Sequence, residues 1–436
     1  MKVLKFGGTS VGSAQRIKDV AKLIEGEGQL VVLSAMSGTT NTLLEISDYL
    51  YKKNPDGANE VIKQLHTKYT QLVKSLYTTP EYRQEADEKV EEVFKYIRSF
   101  SKGLFTLFEE KIILAQGELL SSSLMNLYLH EEGVDSVLLP ALDFMRTDKN
   151  AEPDTAYIKE NLLRLVHAEP EGSLFITQGF ICRNAYGEID NLQRGGSDYT
   201  ASLAGAAIQA EEIQIWTDID GMHNNDPRFV DGTSPVRNLL FEEAAELAYF
   251  GAKILHPTCI LPAKLNNIPV RLLNTMEPKA AGTLISNVTE KGKIKAVAAK
   301  DNITAIKIKS GRMLLVTGFL RKVFEIFETH QTPIDMVTTS EVGVSVSIDS
   351  CKRLEEIVDD LRKFGTVSVD RDMVIVCVVG DFEWDNVGFE ARIVQALSDI
   401  PVRMISYGGS NYNVSLLVRA LDKQRALQAL SKHLFG

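Results

Sequence analysis

From Met1 to about Val297, strand-like and helix-like segments alternate along the chain. Val3, Leu4 and Phe6, with Lys5 among them, run straight into Gly7-Gly8-Thr9-Ser10, and a helical pattern follows from about Ala14. Leu30 to Leu33 reads as a short buried strand ending in Ser34-Ala35-Met36-Ser37-Gly38. Ser136 to Leu139, Leu174 to Thr177 and Ile213 to Thr217 read as further core strands, with helices such as Thr200 to Gln209 and Phe241 to Phe250 between strands. Alternation of this kind predicts an α/β fold: a largely parallel sheet with helices on both faces. Such sheets bind ligands at the carboxyl ends of their strands, where the glycine-rich stretches fall. Asn59 to Glu110 is charged, helix-favouring and nearly free of glycine, and reads as a helical subdomain or lid interrupted near Thr79-Pro80.

After Val297 the pattern changes and two passes look alike. The first has strand Ile303 to Ile308, helix Arg321 to Thr329, strands Asp335 to Thr339 and Val344 to Ile348, and helix Lys352 to Phe364. The second has strand Val374 to Val379, helix Phe389 to Leu397, strands Val402 to Ser406 and Val414 to Val418, and helix Lys423 to Leu434. Each is the strand-helix-strand-strand-helix core of a ferredoxin-like α+β module. The expected division is 1–297, 298–373 and 374–436. Gly365 to Met373 has the pattern to give the first module a further strand, so the two are expected to interleave there.

A chain of 436 residues is too long for one ordinary core. No apolar run approaches the roughly 20 residues that span a bilayer, and Lys5 and two glycines break the N-terminal apolar stretch before it can form a signal peptide. Cys182, Cys259, Cys351 and Cys377 lie far apart without CxxC spacing, as expected of reduced, packing thiols in a cytoplasmic protein. The seven histidines form no paired metal spacing. A formal net charge of −10 argues against a nucleic-acid partner, but leaves room for an anionic substrate in a locally basic pocket.

Four stretches carry candidate chemistry. Lys5 to Ser10 is not a P-loop, whose lysine follows its glycines. Two glycines before a helix still let backbone N–H groups approach a phosphate, with Lys5 adding an ammonium; the alternative is a plain strand-helix corner. In NLQRGGSDYTASLAGAAI (191–208), Ser197 or Asp198 would cap a helix beginning at Asp198 or Tyr199. Asp198 would instead orient Lys5 if the two loops converge. Arg194 suits a carboxylate gripped by its two-pronged guanidinium. IWTDIDGMHNNDPRFV places Thr217 and Asp218 at a strand end and Arg228 in the loop beyond, either as turn chemistry or as a nucleotide pocket. In FGAKILHP, Lys253 alone would be a solvated lysine. Together the cations Lys5, Arg194, Arg228 and Lys253 form an inventory for several negative charges.

In order and spacing, KFGGTSV at the N-terminus, LSAMSGTTN at 33–41, QGE at 116–118, RGGSDYTA at 194–201, WTDIDG followed by DPR, and FGAKILHP resemble the aspartate kinases, enzymes of the amino-acid-kinase fold. The C-terminal repeat resembles their paired ACT modules, so the resemblance spans essentially the whole chain. It implies ATP-dependent phosphorylation of the β-carboxylate of L-aspartate, with Mg²⁺ held mainly through the ATP phosphates. With little chain beyond the second module, a monofunctional enzyme is expected. Carried over by motif, Lys5, Gly7 and Gly8 lie at the phosphates. Ser34, Thr40, Glu118, Arg194 and Ser197 surround the amino acid, with Glu118 on its α-ammonium and Arg194 on its α-carboxylate. Thr217, Asp218, His223, Arg228 and Lys253 meet the nucleotide; His223 stands where related enzymes often carry tyrosine. Lys5, Asp198 and Lys253 are the expected catalytic group. Other carboxylate or carbamate kinases of the fold, and an inactive amino-acid sensor, are the alternatives.

The implied chemistry needs no general base, because a carboxylate of reference pKa about 3.9 is already ionised at neutral pH. Its difficulty is repulsion: two unit charges 4 Å apart cost about 4 kcal/mol at an effective dielectric of about 20. Cations around the transferred group offset this, so catalysis is positioning plus electrostatics. In the first ACT module, Met313, Gly318, Phe319, Leu320, Asp335, Ser340 and Glu341 match the effector pattern of lysine-sensitive members. Free amides at the start of a helix suit a carboxylate, and Asp335 and Glu341 suit ammonium groups, which favours L-lysine as effector. A homodimer or a dimer of dimers through the ACT modules is expected.

Overall fold

The structure is a computed structural model in which residues 1–24, 28–170, 172–192, 195–251, 255–288, 290–311 and 317–436 are described. The chain forms two compact units: Met1–Met222 with Leu255–Asn287, and His223–Ile254 with Val288–Gly436.

The first unit runs β1 (Lys2–Phe6), α1 (Ala14–Leu23), β2 (Gln29–Leu33), α2 (Thr39–Tyr51), α3 (Pro55–Leu76), α4 (Pro80–Ser99), α5 (Leu107–Glu131) and β3 (Ser136–Leu139). It continues with α6 (Thr155–Val166), β4 (Leu174–Gln178), the hairpin β5 (Ile181–Arg183) and β6 (Ile189–Asn191), α7 (Gly196–Ile208) and β7 (Ile213–Thr217). The chain then gives β8 (Asn238–Leu240) and α8 (Phe241–Tyr249) to the second unit, and returns for α9 (Leu261–Leu265), β9 (Val270–Asn274) and β10 (Thr283–Ser286). The sheet order in this unit is β3-β4-β2-β1-β7-β9-β10. Every neighbouring pair from β3 to β9 is parallel, and only β10 runs antiparallel. Strands covered on both faces lose the in-out alternation, so Leu30 to Leu33 are all fully buried. No described helix is long and apolar enough to cross a membrane.

The helical region differs from its sequence reading at one end. The break falls at Thr79-Pro80 as expected, with Pro80 opening α4. The last helix does not stop near Glu110: α5 opens on a capping box, in which Thr106 and Glu109 satisfy each other's turn, and continues to Glu131. Its middle, Ile112 to Leu129, is buried on nearly all sides, so it lacks the one-sided apolar stripe that periodicity detects.

In the second unit β11 (Ile294–Lys309), α10 (Phe319–Thr329), β12 (Val337–Ser340), β13 (Gly343–Ile348) and α11 (Leu354–Arg362) are followed by β14 (Thr366–Gly380), α12 (Phe389–Ala396), β15 (Val402–Ser406), β16 (Asn413–Arg419) and α13 (Lys423–Phe435). They make one antiparallel sheet in the order β12-β13-β11-β14-β16-β15. The modules share their long strands. The second half of β11, Thr304 to Lys309, pairs with β13, and the first half of β14, Thr366 to Asp370, lies on its other side. Conversely β14 from Met373 to Val379 pairs with β16, and the first half of β11 covers its outer edge. Two cores result, one around Ile306, Val323, Phe327 and Leu361, the other around Val376, Ile393, Leu416 and Leu427.

Gly117, in the middle of α5, is where that helix meets the loop after β2: a Cβ there would sit 2.8 Å from the Ala35 Cβ and 3.4 Å from Thr39 Cγ2. Gly117→Val should therefore lower the stability of the first unit by roughly 1–3 kcal/mol through overpacking. Thermal unfolding followed by circular dichroism checks this; an unchanged melting temperature would show that the contact yields freely.

Candidate active site

Lys5 lies in β1 between Val32 of β2 and Ile215 of β7. Its Nζ is 2.7 Å from Oδ1 of Asp198, with only 10% and 16% of the two side chains exposed. Among the described residues Oδ1 receives no aligned hydrogen bond, so this is a contact of charges more than of directed donors. The glycine turn fits around it. A Cβ on Gly7 would lie 3.4 Å from the lysine nitrogen, and one on Gly8 only 2.6 Å from the Ala35 carbonyl oxygen. Gly8 is thus a glycine because two loops meet there; its carbonyl accepts from the Ser37 N–H at 3.0 Å.

The structure corrects the capping expectation for Ser197 and Asp198. The helix starts earlier, at Gly196, and its N-cap is Gly195 at φ 75°, with no side-chain capping bond. A glycine turn in the left-handed region does the work of the cap, and both side chains are left for other contacts. Asp198 goes to Lys5, and Ser197 accepts a hydrogen bond from the Ser34 hydroxyl at 2.9 Å. Behind the turn the buried Cys259 thiol fills the space that a Gly195 side chain would need.

Glu118 projects from α5 beneath the loop after β2. It is 3% exposed; Oε1 accepts from the Ala35 N–H at 3.2 Å, and Oε2 has no hydrogen-bond partner among the described residues. Burial pushes its carboxyl up to about 7, and the Ala35 amide offsets only part of that. Glu118 lines a cavity of about 410 Å³ together with Gly8, Ser34, Thr40, Asn41, Phe180 and Ser197. Ser34, Thr40, Glu118 and Ser197 thus come together around one space. Asn41 and Phe180 were missed. Phe180 is a non-glycine residue at φ 67°, held by its N–H donating to Thr200 Oγ1 at 2.9 Å; its only sequence signal is the glycine that precedes it at the end of β4. Helix α3 also reaches this loop, through Lys68 on the Ser37 carbonyl and Tyr69 on Thr39.

The nucleotide candidates are more scattered. Thr217 ends β7, where its carbonyl accepts from the Thr275 N–H, and Asp218 follows in the bend. His223 and Arg228 belong to the second unit. There His223 Nδ1 meets the Thr233 hydroxyl at 2.9 Å, and the guanidinium of Arg228 is held by Asp226 at 2.6 Å. Arg194, Lys253 and Met313 lie outside the described residues. Of the effector candidates, Gly318 caps α10 at φ 85°, Phe319 is buried, Leu320 is exposed, the side chain of Asp335 is buried, Ser340 ends β12, and Glu341 is exposed in the turn to β13.

A model of the amino acid kinase family matches residues 1–274, and an ACT domain model matches residues 376–434. The parallel sheet with a lysine in its middle strand therefore defines an amino acid kinase, joined to ACT modules. Aspartokinase 1 of Arabidopsis thaliana, a chloroplastic protein, is 35% identical over 99% of this chain and 80% of its own length. Lysine-sensitive aspartokinase 3 of Escherichia coli is 33% identical over 99% of both chains. The crystal structure of E. coli aspartokinase III in complex with aspartate and ADP superposes with a TM-score of 0.85 at 32% identity, covering all of both chains. The chain belongs to the aspartokinase family.

A buried carboxylate with one bare oxygen costs stability. The folded value of about 7 lies above the reference of 4.5, so the contribution of Glu118 is fully present below about 4.5 and is lost as pH rises through 7. Without substrate, wild-type protein should lose melting temperature relative to Glu118→Gln between pH 5 and pH 8. A gap between the two proteins that stays constant across that range would contradict the burial argument.

Proposed function

We propose that the cavity beside Lys5 is the site at which the β-carboxylate of L-aspartate attacks the γ-phosphorus of ATP. One carboxylate oxygen forms the new P–O bond, the bond to the β,γ-bridging oxygen breaks, and ADP leaves with 4-phospho-L-aspartate as product. The observation that carries this reading is the Lys5–Asp198 pair against the glycine turn, next to a cavity into which Glu118 presents an uncompensated oxygen.

Each residue then has a role. Lys5 meets the transferred phosphoryl group, where its fixed charge offsets the repulsion between two anions. Asp198 holds Lys5 in place. The substrate ammonium supplies the donor that Oε2 of Glu118 lacks, Arg194 grips the α-carboxylate, and Ser34, Thr40 and Ser197 add polar contacts. Gly7 and Gly8 give the phosphates access to backbone, Thr217, Asp218 and His223 meet the nucleoside side, and Lys253 is a second phosphate contact. Arg228 is already engaged by Asp226 and is the weakest member of this set. Among the described residues no three His, Cys, Asp or Glu side chains gather to hold a metal ion. Mg²⁺ would enter with ATP, held mainly through its phosphate oxygens, and would supply positive charge there. In the ACT half, L-lysine is the inhibitory effector, bound in the first module around Gly318, Phe319, Leu320, Asp335, Ser340 and Glu341, with Met313 beside them. The modules join copies of the chain as a homodimer or a dimer of dimers. The lysine-sensitive relative supports this choice of effector.

Hydroxylamine trapping with MgATP and L-aspartate tests the reaction. Aspartyl hydroxamate is expected, suppressed by L-lysine and not by L-threonine. Product from glutamate, acetylglutamate or carbamate in place of aspartate would reassign the substrate. Lys5→Ala should reduce kcat by about 10²–10³-fold or more with an unchanged circular dichroism spectrum; a near-normal rate would remove Lys5 from the chemistry. Ammonium binding requires ionised Glu118, so KM for aspartate should rise about tenfold per unit as pH falls below about 7, and Glu118→Gln should abolish that slope.

A further inference from the structure

Asp335 opens the approach to β12 and its side chain is 1% exposed. Its two oxygens are treated unequally. Oδ1 receives the Lys300 ammonium at 2.6 Å and the Tyr249 hydroxyl at 2.7 Å, while Oδ2 has no hydrogen-bond partner among the described residues. Lys300, from the first half of β11, also contacts Asp349 at 3.0 Å and sits over the Tyr249 ring, 4.3 Å from its centre. Tyr249 is the last residue of α8. Burial and the Asp335 acceptor push its hydroxyl up to about 12, so it remains a donor. The next turn is pinned to the same strand: a Cβ on Gly251, at φ 126°, would strike the Ala299 carbonyl oxygen at 2.2 Å. The end of α8 is therefore fastened to Ala299 and Lys300 by backbone contact and by one shared carboxylate.

We propose that Lys300 is a resident stand-in for the effector's ammonium: it occupies Asp335 in the free protein, competes with a bound amino acid for that carboxylate, and with Tyr249 ties the occupancy of Asp335 to the end of α8. This rests on the reading of the first ACT module as a lysine site. An ammonium that takes Oδ1 of Asp335 displaces Lys300, and the effector's apparent affinity falls by the fraction of protein in which Oδ1 is already held. Loss of the Tyr249 bond then loosens the end of α8. Tyr249 and Lys300 are positioning residues, remote in role from the phosphoryl transfer itself.

Calorimetric titration of the full chain with L-lysine, beside the trapping assay, is the test. Lys300→Met should bind L-lysine about tenfold more tightly than wild type or better, as expected when a competing charge-assisted bond is removed, and Lys300→Arg should return Kd to near the wild-type value. Lys300→Gln serves if the methionine variant fails to fold. Tyr249→Phe should keep L-lysine binding and basal turnover while leaving more activity than wild type at saturating L-lysine. An unchanged or weakened Kd in Lys300→Met would overturn the stand-in and leave the effector reading intact. Full inhibition of Tyr249→Phe would overturn the link through α8. Absence of binding by wild-type protein would overturn both the inference and the effector reading.

Discussion

A lysine in the inner part of a parallel sheet needs a counter-charge, and the first unit is arranged around supplying one. Lys5 is flanked by β2 and β7, is nearly covered, and has Asp198 as its ion-pair partner. Removing one member of a buried pair leaves an uncompensated charge, which costs more than the pair contributes. Asp198 reaches Lys5 only because α7 begins one residue after a left-handed glycine, so the acid falls in the first turn instead of on the cap. An aspartate there is also favoured by the positive end of the helix. The same turn places Ser197 against Ser34 and so joins the loops after β2 and before α7. The ion pair, the cavity and the start of α7 form one constraint.

The loops themselves are held by absence of side chains. Gly8 admits the Ala35 carbonyl, Gly117 admits Ala35 and Thr39, and Gly179 admits Ser197, whose Cβ would otherwise be met at 2.3 Å. Three chain segments thereby close on the space next to Lys5 without the core spreading apart. That closeness is what buries Glu118. The charged form of Glu118 is disfavoured because, among the described residues, its carboxylate has only the Ala35 amide to offset its burial.

Much of this was legible in the sequence because it is local. Strands such as Ile213–Thr217 and Val402–Ser406 are bounded by turn residues and need no tertiary information. The glycine turn with its preceding lysine was readable as chemistry, though not as necessity: that Gly8 must be glycine depends on Ala35, and the choice between cap and ion pair for Asp198 depends on a residue 193 positions away. Helix α5 escaped the pattern because burial on all sides erases periodicity. The sharing of β11 and β14 between modules was only hinted at by Gly365 to Met373, since register between long strands is set by packing, not by local propensity. Arg228 shows the opposite failure. Its charge looked available, but Asp226 two residues earlier takes it.

Glu118 and Asp335 pose the same physical problem and resolve it differently. Each is a buried carboxylate with one oxygen bonded and, among the described residues, the other without a partner. Glu118 has only a backbone amide, so it bears its desolvation alone and gives its full electrostatic reward to an incoming ligand. Asp335 has a resident ammonium and a hydroxyl, so an incoming ligand gains only the difference between its own bonds and theirs. On the proposed reading, a substrate site benefits from the first arrangement, because tight pairing with the ammonium is available at once. A regulatory site benefits from the second, because weaker net binding sets a threshold, and the groups released by the exchange can do work elsewhere only if they were bonded beforehand. On the proposed reading, the bonded state of Asp335 is what lets it report its occupancy, a property Glu118, without a side-chain partner among the described residues, does not have.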